Sequence, residues 1–224
     1  MRELNKKNAE LQHFFRWDLI EDAEIVGKNA HPQLSRVESV PKVDRIVTFG
    51  NAKYVKEPEK CAVSFYEKDS IIERFWNNPE RYLPMLRKFK YVIGLDYSIL
   101  CNMYSPQQSY NCWRNFVMTY YLQNRLDMVV PNYGFGDEDT YDWTMEGLPT
   151  DSWLAITTQG CMGSLMYKRI ILNGLHKLDR EKHPRGLIVY GIFPEEWKDK
   201  FSMPIVVYPS YSEMKWGGGN YGKR

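Results

Sequence analysis

At 224 residues, with 43% hydrophobic and 15% aromatic side chains, the chain can fill a core of its own, which excludes disorder over most of its length. Thirty basic against 28 acidic residues leave a formal charge of +2, without the strong positive field of a protein that lives on phosphate backbones. Cys61, Cys101, Cys112 and Cys161 are widely spaced and form no CxxC pair, so reduced thiols and a reducing compartment, the cytosol of a bacterial host, are expected.

Residues 1–44 read as an arm packed on the body. They are polar and interrupted by Gly27, Pro32 and Pro41, with an aromatic cluster at Phe14, Phe15 and Trp17. Met1 is followed by charged residues and no apolar run, and no later stretch approaches the roughly 18 apolar residues of a membrane span, so neither a secretory leader nor a membrane is expected. Residues 45–210 read as a single α/β domain that opens with a strand at Arg45–Phe49.

Short β-branched or aromatic runs then alternate with stretches of helical period. Strands are predicted at Ala62–Tyr66, Tyr91–Leu95, Met128–Pro131, Trp153–Thr157, Leu187–Tyr190 and Ile205–Tyr208. Most are apolar on both faces, as in a parallel sheet covered by helices. The expected fold is therefore a mostly parallel sheet of about six strands flanked by helices, either doubly wound or like a partial barrel.

Helices are expected at Ser70–Trp76, capped by Asp69, then from Pro79 or Glu80, at Gln108–Leu126, at Leu165–Leu178 and around Glu195–Phe201. In Gln108–Leu126 an apolar stripe runs through Cys112, Trp113, Phe116, Val117, Tyr120 and Tyr121, leaving Asn111, Asn115, Thr119 and Gln123 off it. Gly174, inside a helix at a cost of about 1 kcal/mol relative to alanine, implies a close approach of helix to sheet. Residues 211–224 read as a flexible glycine-rich tail.

In such sheets, ligands bind beyond the carboxyl ends of the strands, where loops and helix N-termini converge. Asp96 ends an apolar run there, placed to act as a general base or a metal ligand, or to cap its own turn; Ser98 follows it. Asn132 and the acids Asp137, Glu138, Asp139 and Asp142 follow the next strand. They compose a hard-cation site without EF-hand order, or the acidic start of a helix. Thr157–Ser164, with Thr158 and Gly160, is either an anion cradle or a tight turn, and it lacks the Lys-Ser/Thr pair of a Walker loop. Cys161 has no histidine near it in sequence, so an inert thiol is expected. The four histidines show no zinc spacing, and no GxSxG elbow marks a serine nucleophile.

The run Trp76-Asn77-Asn78-Pro79-Glu80-Arg81-Tyr82, continued by Phe89 through Ser98, resembles a family from phages, plasmids and bacterial genomes catalogued as domain of unknown function number 4417. Further likenesses are Asn111–Arg114 with Gln123, Val130-Pro131-Asn132, Asp137–Asp142, Glu146-Gly147, Thr158–Gly160, Gly174-Leu175 and Val189-Tyr190-Gly191, in order between Val40 and Tyr208. The resemblance implies a mobile-element protein, phage-borne, working among replication or host-takeover functions. It carries over no catalytic residue.

The leading expectation is a strand-end site for a polar or phosphorylated ligand or nucleotide. Asp96, Asp137 and Asp142 would carry the chemistry, Asp96 and Asp137 would hold magnesium, and Ser98, Arg114, Asn132, Glu138, Thr158 and Gly160 would contact the ligand. For Arg114 a helix-surface ion pair stays open beside an anion clamp. Two other classes stand beside this one. A noncatalytic phage protein that binds a host or defence protein would show an exposed aromatic patch. A nucleic-acid-binding replication accessory would show a basic stripe, which the net charge does not support.

Overall fold

The computed structural model describes residues 9–216. The arm opens with helix α1 (Ala9–Phe15) and a 3-10 turn at Trp17–Leu19, followed by the small antiparallel pair β1 (Ile25–Val26) and β2 (His31–Pro32). It then runs along the body. Trp153 N–H donates to the Val37 carbonyl at 2.8 Å, and the His31 ring stacks on Phe116.

The body follows as β3 (Arg45–Thr48), α2 (Phe49–Ala52), β4 (Cys61–Ser64), α3 (Asp69–Asn77), α4 (Leu83–Leu86), β5 (Tyr91–Ile93), α5 (Ser105–Gln123) and β6 (Val129–Val130). It continues with α6 (Tyr141–Thr144), β7 (Trp153–Thr157), α7 (Leu165–Lys182), β8 (Gly186–Tyr190), α8 (Glu195–Lys198), β9 (Ile205–Tyr208) and α9 (Tyr211–Trp216). Residues 211–216, placed in the tail by sequence, are thus helical. The glycine-rich stretch after Trp216 lies outside the described residues.

From β3 to β9 each strand pairs in parallel with its neighbours in chain order, as a four-stranded sheet β3-β4-β5-β6 and a three-stranded sheet β7-β8-β9. These two parallel sheets replace the single sheet of about six strands. The break has a local cause: Pro131, directly after β6, has no N–H to give to a ladder. Pairing resumes one residue later, with Asn132 bridged to Ala155 in parallel register, Tyr133 N–H bonded to the Ala155 carbonyl and Ala155 N–H to the Pro131 carbonyl. Strictly sequential order also lacks the reversal that a doubly wound sheet requires.

Strand residues alternate between two environments. Val63, Val92 and Val129 pack with Phe75, Val117 and Tyr121 of the helices, and Leu154, Ile156, Leu187 and Val189 pack with Ile171, Leu175 and Leu178 of α7. The opposite faces gather in a third cluster without helical residues: Ile46, Ala62, Tyr91, Ile93, Val130, Ala155, Ile188, Tyr190 and Tyr208. Every strand from β3 to β9 contributes to it, so the two sheets share one interior. All four cysteines are free thiols, and among the described residues no helix is long and apolar enough to cross a membrane.

Candidate functional site

The segment leaving β5 is held by one polar ridge of α5. Thr119 Oγ1 accepts from Leu95 N–H at 3.2 Å, and Asn115 bonds both backbone groups of Tyr97. Asn111 donates to the Ser98 carbonyl at 2.7 Å, and Gln108 to that of Leu100 at 2.7 Å. Residues 111, 115 and 119 recur every four positions, so they share a helix face. That face is buried. The expectation that these residues sit off the core-facing stripe is corrected here: an irregular strand-end loop must find partners for its backbone, and the helix beside it supplies them. Gly94 permits the approach, since a Cβ there would come within 2.5 Å of Thr119 Oγ1.

Asp96 sits in the middle of this loop. Its Oδ1 accepts from Asn132 Nδ2 at 2.8 Å, the same amide donates to the Leu95 carbonyl, and Asn132 Oδ1 accepts from the Tyr66 hydroxyl at 2.8 Å. The tyrosine proton thereby fixes which end of the amide faces the carboxylate. Burial raises the Asp96 pKa to about 7; the Asn132 hydrogen bond opposes the rise and the Asp69 carboxylate adds to it. Burial also holds Tyr66 well above the usual phenol range, with a further push from Asp96.

Asp69 does not cap its helix as expected. Lys68 occupies the cap position, and Asp69 Oδ1 instead accepts from the N–H and hydroxyl of Ser98, at 3.1 and 2.9 Å. The helix start is thus tied to the loop that carries Asp96.

Above Asp96 opens a cleft of about 600 Å³ at the carboxyl ends of the strands, within the size range of ligand sites. It is lined by Thr48 at the end of β3, Asn51 of α2, Tyr66, Glu67 and Lys68 after β4, and Asp96 and Ser98 after β5. Thr157, Gln159 and Gly160 from β7, Tyr190 from β8, and Tyr211 and Ser212 from α9 complete the wall with Ile71. Nine of its 14 lining residues carry a hydroxyl or an amide, although more of the exposed wall is apolar than polar, and Lys68 is the one cation among the described residues that line it. A smaller chamber of about 210 Å³ shares Asp96, Ser98, Thr157 and Gln159 with this cleft and extends toward Ile99, Tyr133, Phe135 and Cys161.

Of the residues singled out from sequence, Asp96, Ser98 and Gly160 line the cleft, and Asn132 supports Asp96 from behind. Thr158 is buried, with its hydroxyl donating to the Ile192 carbonyl at 2.7 Å. Arg114 lines neither cavity: its guanidinium lies 3.6 Å from the centre of the Tyr97 ring and pairs with Glu73 at 2.9 Å. Asp137, Glu138 and Asp142 line neither cavity as well. Asp142 pairs with Lys177 at 2.8 Å, and Glu138 accepts from Asn173 at 3.0 Å. The Asp137 backbone N–H donates to Thr140 Oγ1, and one of its carboxylate oxygens is buried without a partner.

Among the described residues no three His, Cys, Asp or Glu side chains gather closely enough to hold a metal ion. Asp96 faces the cleft, whereas Asp137 lines neither cavity. As site residues, sequence reasoning did not single out Tyr66, Glu67 or Lys68, and it read Asp69 only as a helix cap. The strand-end rule that singled out Asp96, applied to β4, would have found them.

Residues 23–209 match the family described as "Domain of unknown function (DUF4417)". Two phage proteins are similar to this chain, each 28% identical over 155 residues: the "Gene 1 protein" of Mycobacterium phage D29 and the "Gene 1 protein" of Mycobacterium phage L5. The matched region is 69% of this chain, 57% of the D29 protein and 67% of the L5 protein, so the chain spans little more than half of the first and about two thirds of the second. No solved structure matches at a significant level.

Proposed function

Since the chain belongs to the family of domain of unknown function DUF4417, we propose from its own residues that the strand-end cleft binds a polar, largely uncharged small molecule on which Asp96 acts as general acid and base. In this reading the two parallel sheets form a partial barrel, and the cleft is its mouth, the place where parallel α/β barrels carry their chemistry. The observation that carries the proposal is the Asp96 carboxyl, set at the cleft floor with Oδ1 fixed by Asn132. A carboxyl that titrates near pH 7 holds or releases a proton with equal ease at neutral pH.

The hydroxyl and amide lining favours a sugar or nucleoside over a polyphosphate, for which Lys68 alone is a poor match. A single phosphate can still be met by Lys68. The phage origin of both relatives supports a mobile-element protein working in a bacterial cytosol.

The test is a thermal-shift panel of pentoses, hexoses, nucleosides and nucleoside monophosphates, with and without magnesium, on the native chain and Asp96→Asn. Stabilisation by an uncharged polar compound, independent of magnesium and weakened in Asp96→Asn, is expected. A silent panel, or equal shifts in the variant, would refute the assignment.

A second reading, a surface for a host protein, is supported by one feature of the arm. Phe15 stacks on Trp17 and meets Tyr110 edge-on, while Phe14 is 63% exposed. This reading requires a host protein to bind the native chain and the Asp96→Asn variant equally and to lose binding to Phe14→Ser.

A further inference from the structure

We propose that the protein carries a second small-molecule site, at the amino ends of β5 and β7, which takes a planar aromatic acid: a ring with a hydrogen-bond acceptor at its inner end and a carboxylate at its outer end. This site shares no lining residue with the Asp96 cleft, which lies at the carboxyl ends of the strands.

The strand set leaves an opening there. Among the described residues β3 pairs only with β4 and β9 only with β8, so no further strand covers the flank of β9. Val206 stands on the same face of β9 as Tyr208, which belongs to the shared interior, yet Val206 is 38% exposed. Beside it lies a cavity of about 330 Å³, within the range of ligand pockets. Its walls include Tyr91 and Trp153, the first residues of β5 and β7, with Val206 and Tyr208 of β9 and Val40 and Lys42 from the chain before β3.

Apart from Lys42 the lining is aliphatic or aromatic, so the body of the ligand is apolar. Trp153 supplies a fixed wall: its ring lies so close to Gly186 that a Cβ there would come within 2.5 Å of it. Two polar groups define the ends. The Tyr91 hydroxyl is buried with no hydrogen-bond partner among the described residues, a state that folded proteins seldom leave unanswered. Burial raises its pKa, so the hydroxyl keeps its proton and offers it to an acceptor. Tyr208, whose own hydroxyl accepts from Val43 N–H at 3.4 Å, is near enough to add to that rise but lies outside hydrogen-bonding geometry with Tyr91. Lys42 is exposed and is the one charged residue lining the cavity. It makes no salt bridge among the described residues. An uncommitted ammonium over an apolar cavity selects a carboxylate, and the buried hydroxyl selects a ring that carries an acceptor.

Quinoline-6-carboxylate has both features at opposite ends, 2-naphthoate lacks the ring nitrogen, and quinoline lacks the carboxylate. Equilibrium dialysis of the three at neutral pH reads the site. Quinoline-6-carboxylate is expected to bind one molecule per chain, about threefold or more tighter than either of the other two. Tyr91→Phe, which keeps the ring, is expected to make it equal to 2-naphthoate. Lys42→Gln is expected to weaken both acids by about threefold or more and to leave quinoline unchanged. Val206→Phe, which fills the cavity from a partly exposed position, is expected to abolish binding of all three; if it fails to fold, Val40→Phe fills the cavity from another wall. Asp96→Asn is expected to bind all three as the native chain does.

No binding of quinoline-6-carboxylate up to its solubility limit overturns the site, as does binding that survives a folded variant with the cavity filled. A preference over 2-naphthoate that persists in Tyr91→Phe, or affinity for the acids unchanged in Lys42→Gln, overturns the chemistry assigned to the two ends. Loss of binding in Asp96→Asn would put the acid in the other cleft and overturn the second site.

Discussion

Asn115 grips both backbone polar groups of Tyr97: its Oδ1 accepts the N–H at 2.6 Å and its Nδ2 donates to the carbonyl at 3.1 Å. One side chain on α5 thus replaces the strand partner that the chain loses on leaving β5, and it does so one residue after Asp96. Asn115→Ala leaves a donor and an acceptor buried without partners, at about 1–3 kcal/mol each. A loss of about 2–5 kcal/mol in urea unfolding is expected. Asn115→Asp keeps the acceptor and loses the donor, so it should fall between the two. A change within about 0.5 kcal/mol for Asn115→Ala would show that the loop holds itself.

This contact also marks where sequence reading stops. The strands were legible because β-branched runs such as Trp153–Thr157 and Leu187–Tyr190 are apolar on both faces, and Asp96 was legible because an apolar run delivers it to a strand end. The helical period of α5 was legible too, but the rule that polar residues face water assigned Asn111, Asn115 and Thr119 to the wrong side. Their partners are backbone groups some 13 to 24 residues earlier in the chain, which no local pattern records. The partners of the acids Glu138 and Asp142 are likewise remote in sequence. These acids answer Asn173 and Lys177 on α7, 35 residues away.

The pH dependence of stability should separate two buried groups with opposite slopes. His31 is enclosed with neither ring nitrogen bonded, and burial pushes its pKa down to about 4 against a weaker upward pull from Glu146. As pH falls from 6.5 toward 4, the unfolded chain takes up a proton that native His31 refuses, so its contribution to stability is lost. Asp96 behaves oppositely. The folded state keeps its proton up to about pH 7 while the unfolded carboxyl ionises near 4, so stability declines as pH rises through that window. Urea midpoints between pH 4.5 and 7.5 should lose the acid-side fall in His31→Phe and the neutral-side fall in Asp96→Asn. Curves parallel to the native one would mean that neither group is perturbed.

Arg16 joins the arm to the body through the end of α3. Its Nε and Nη2 donate to the Trp76 carbonyl at 3.1 and 2.8 Å, and Nη2 also reaches the Asn77 carbonyl at 2.7 Å. Carbonyls in the last helical turn have no partner within their helix, and a guanidinium there also meets the negative end of the dipole. Arg16→Met keeps much of the stem and removes the donors, so a loss of about 1.5–3 kcal/mol is expected. Hydrogen exchange should accelerate in residues 11–20 and at the α3 end, while exchange in β7 and β8 stays unchanged. Equal acceleration throughout would mean that the arm has no local stability of its own.

Gly174 tests the packing of α7 against the loop after β6. Its close neighbour is not the sheet that the sequence suggested: a Cβ there would lie 2.8 Å from the Phe135 ring and 3.1 Å from that of Tyr141, whose hydroxyl donates to the Ile170 carbonyl. In an open helix, alanine in place of glycine would stabilise by about 1 kcal/mol. Here it must push aside a ring that walls the small chamber, and overpacking of this kind costs about 1–3 kcal/mol. Gly174→Ala should therefore destabilise, and Phe135→Leu added to it should recover part of the loss, giving a double-mutant coupling above about 0.5 kcal/mol. A stabilised Gly174→Ala would mean that the Phe135 ring moves freely, and the chamber it bounds would then have no fixed shape.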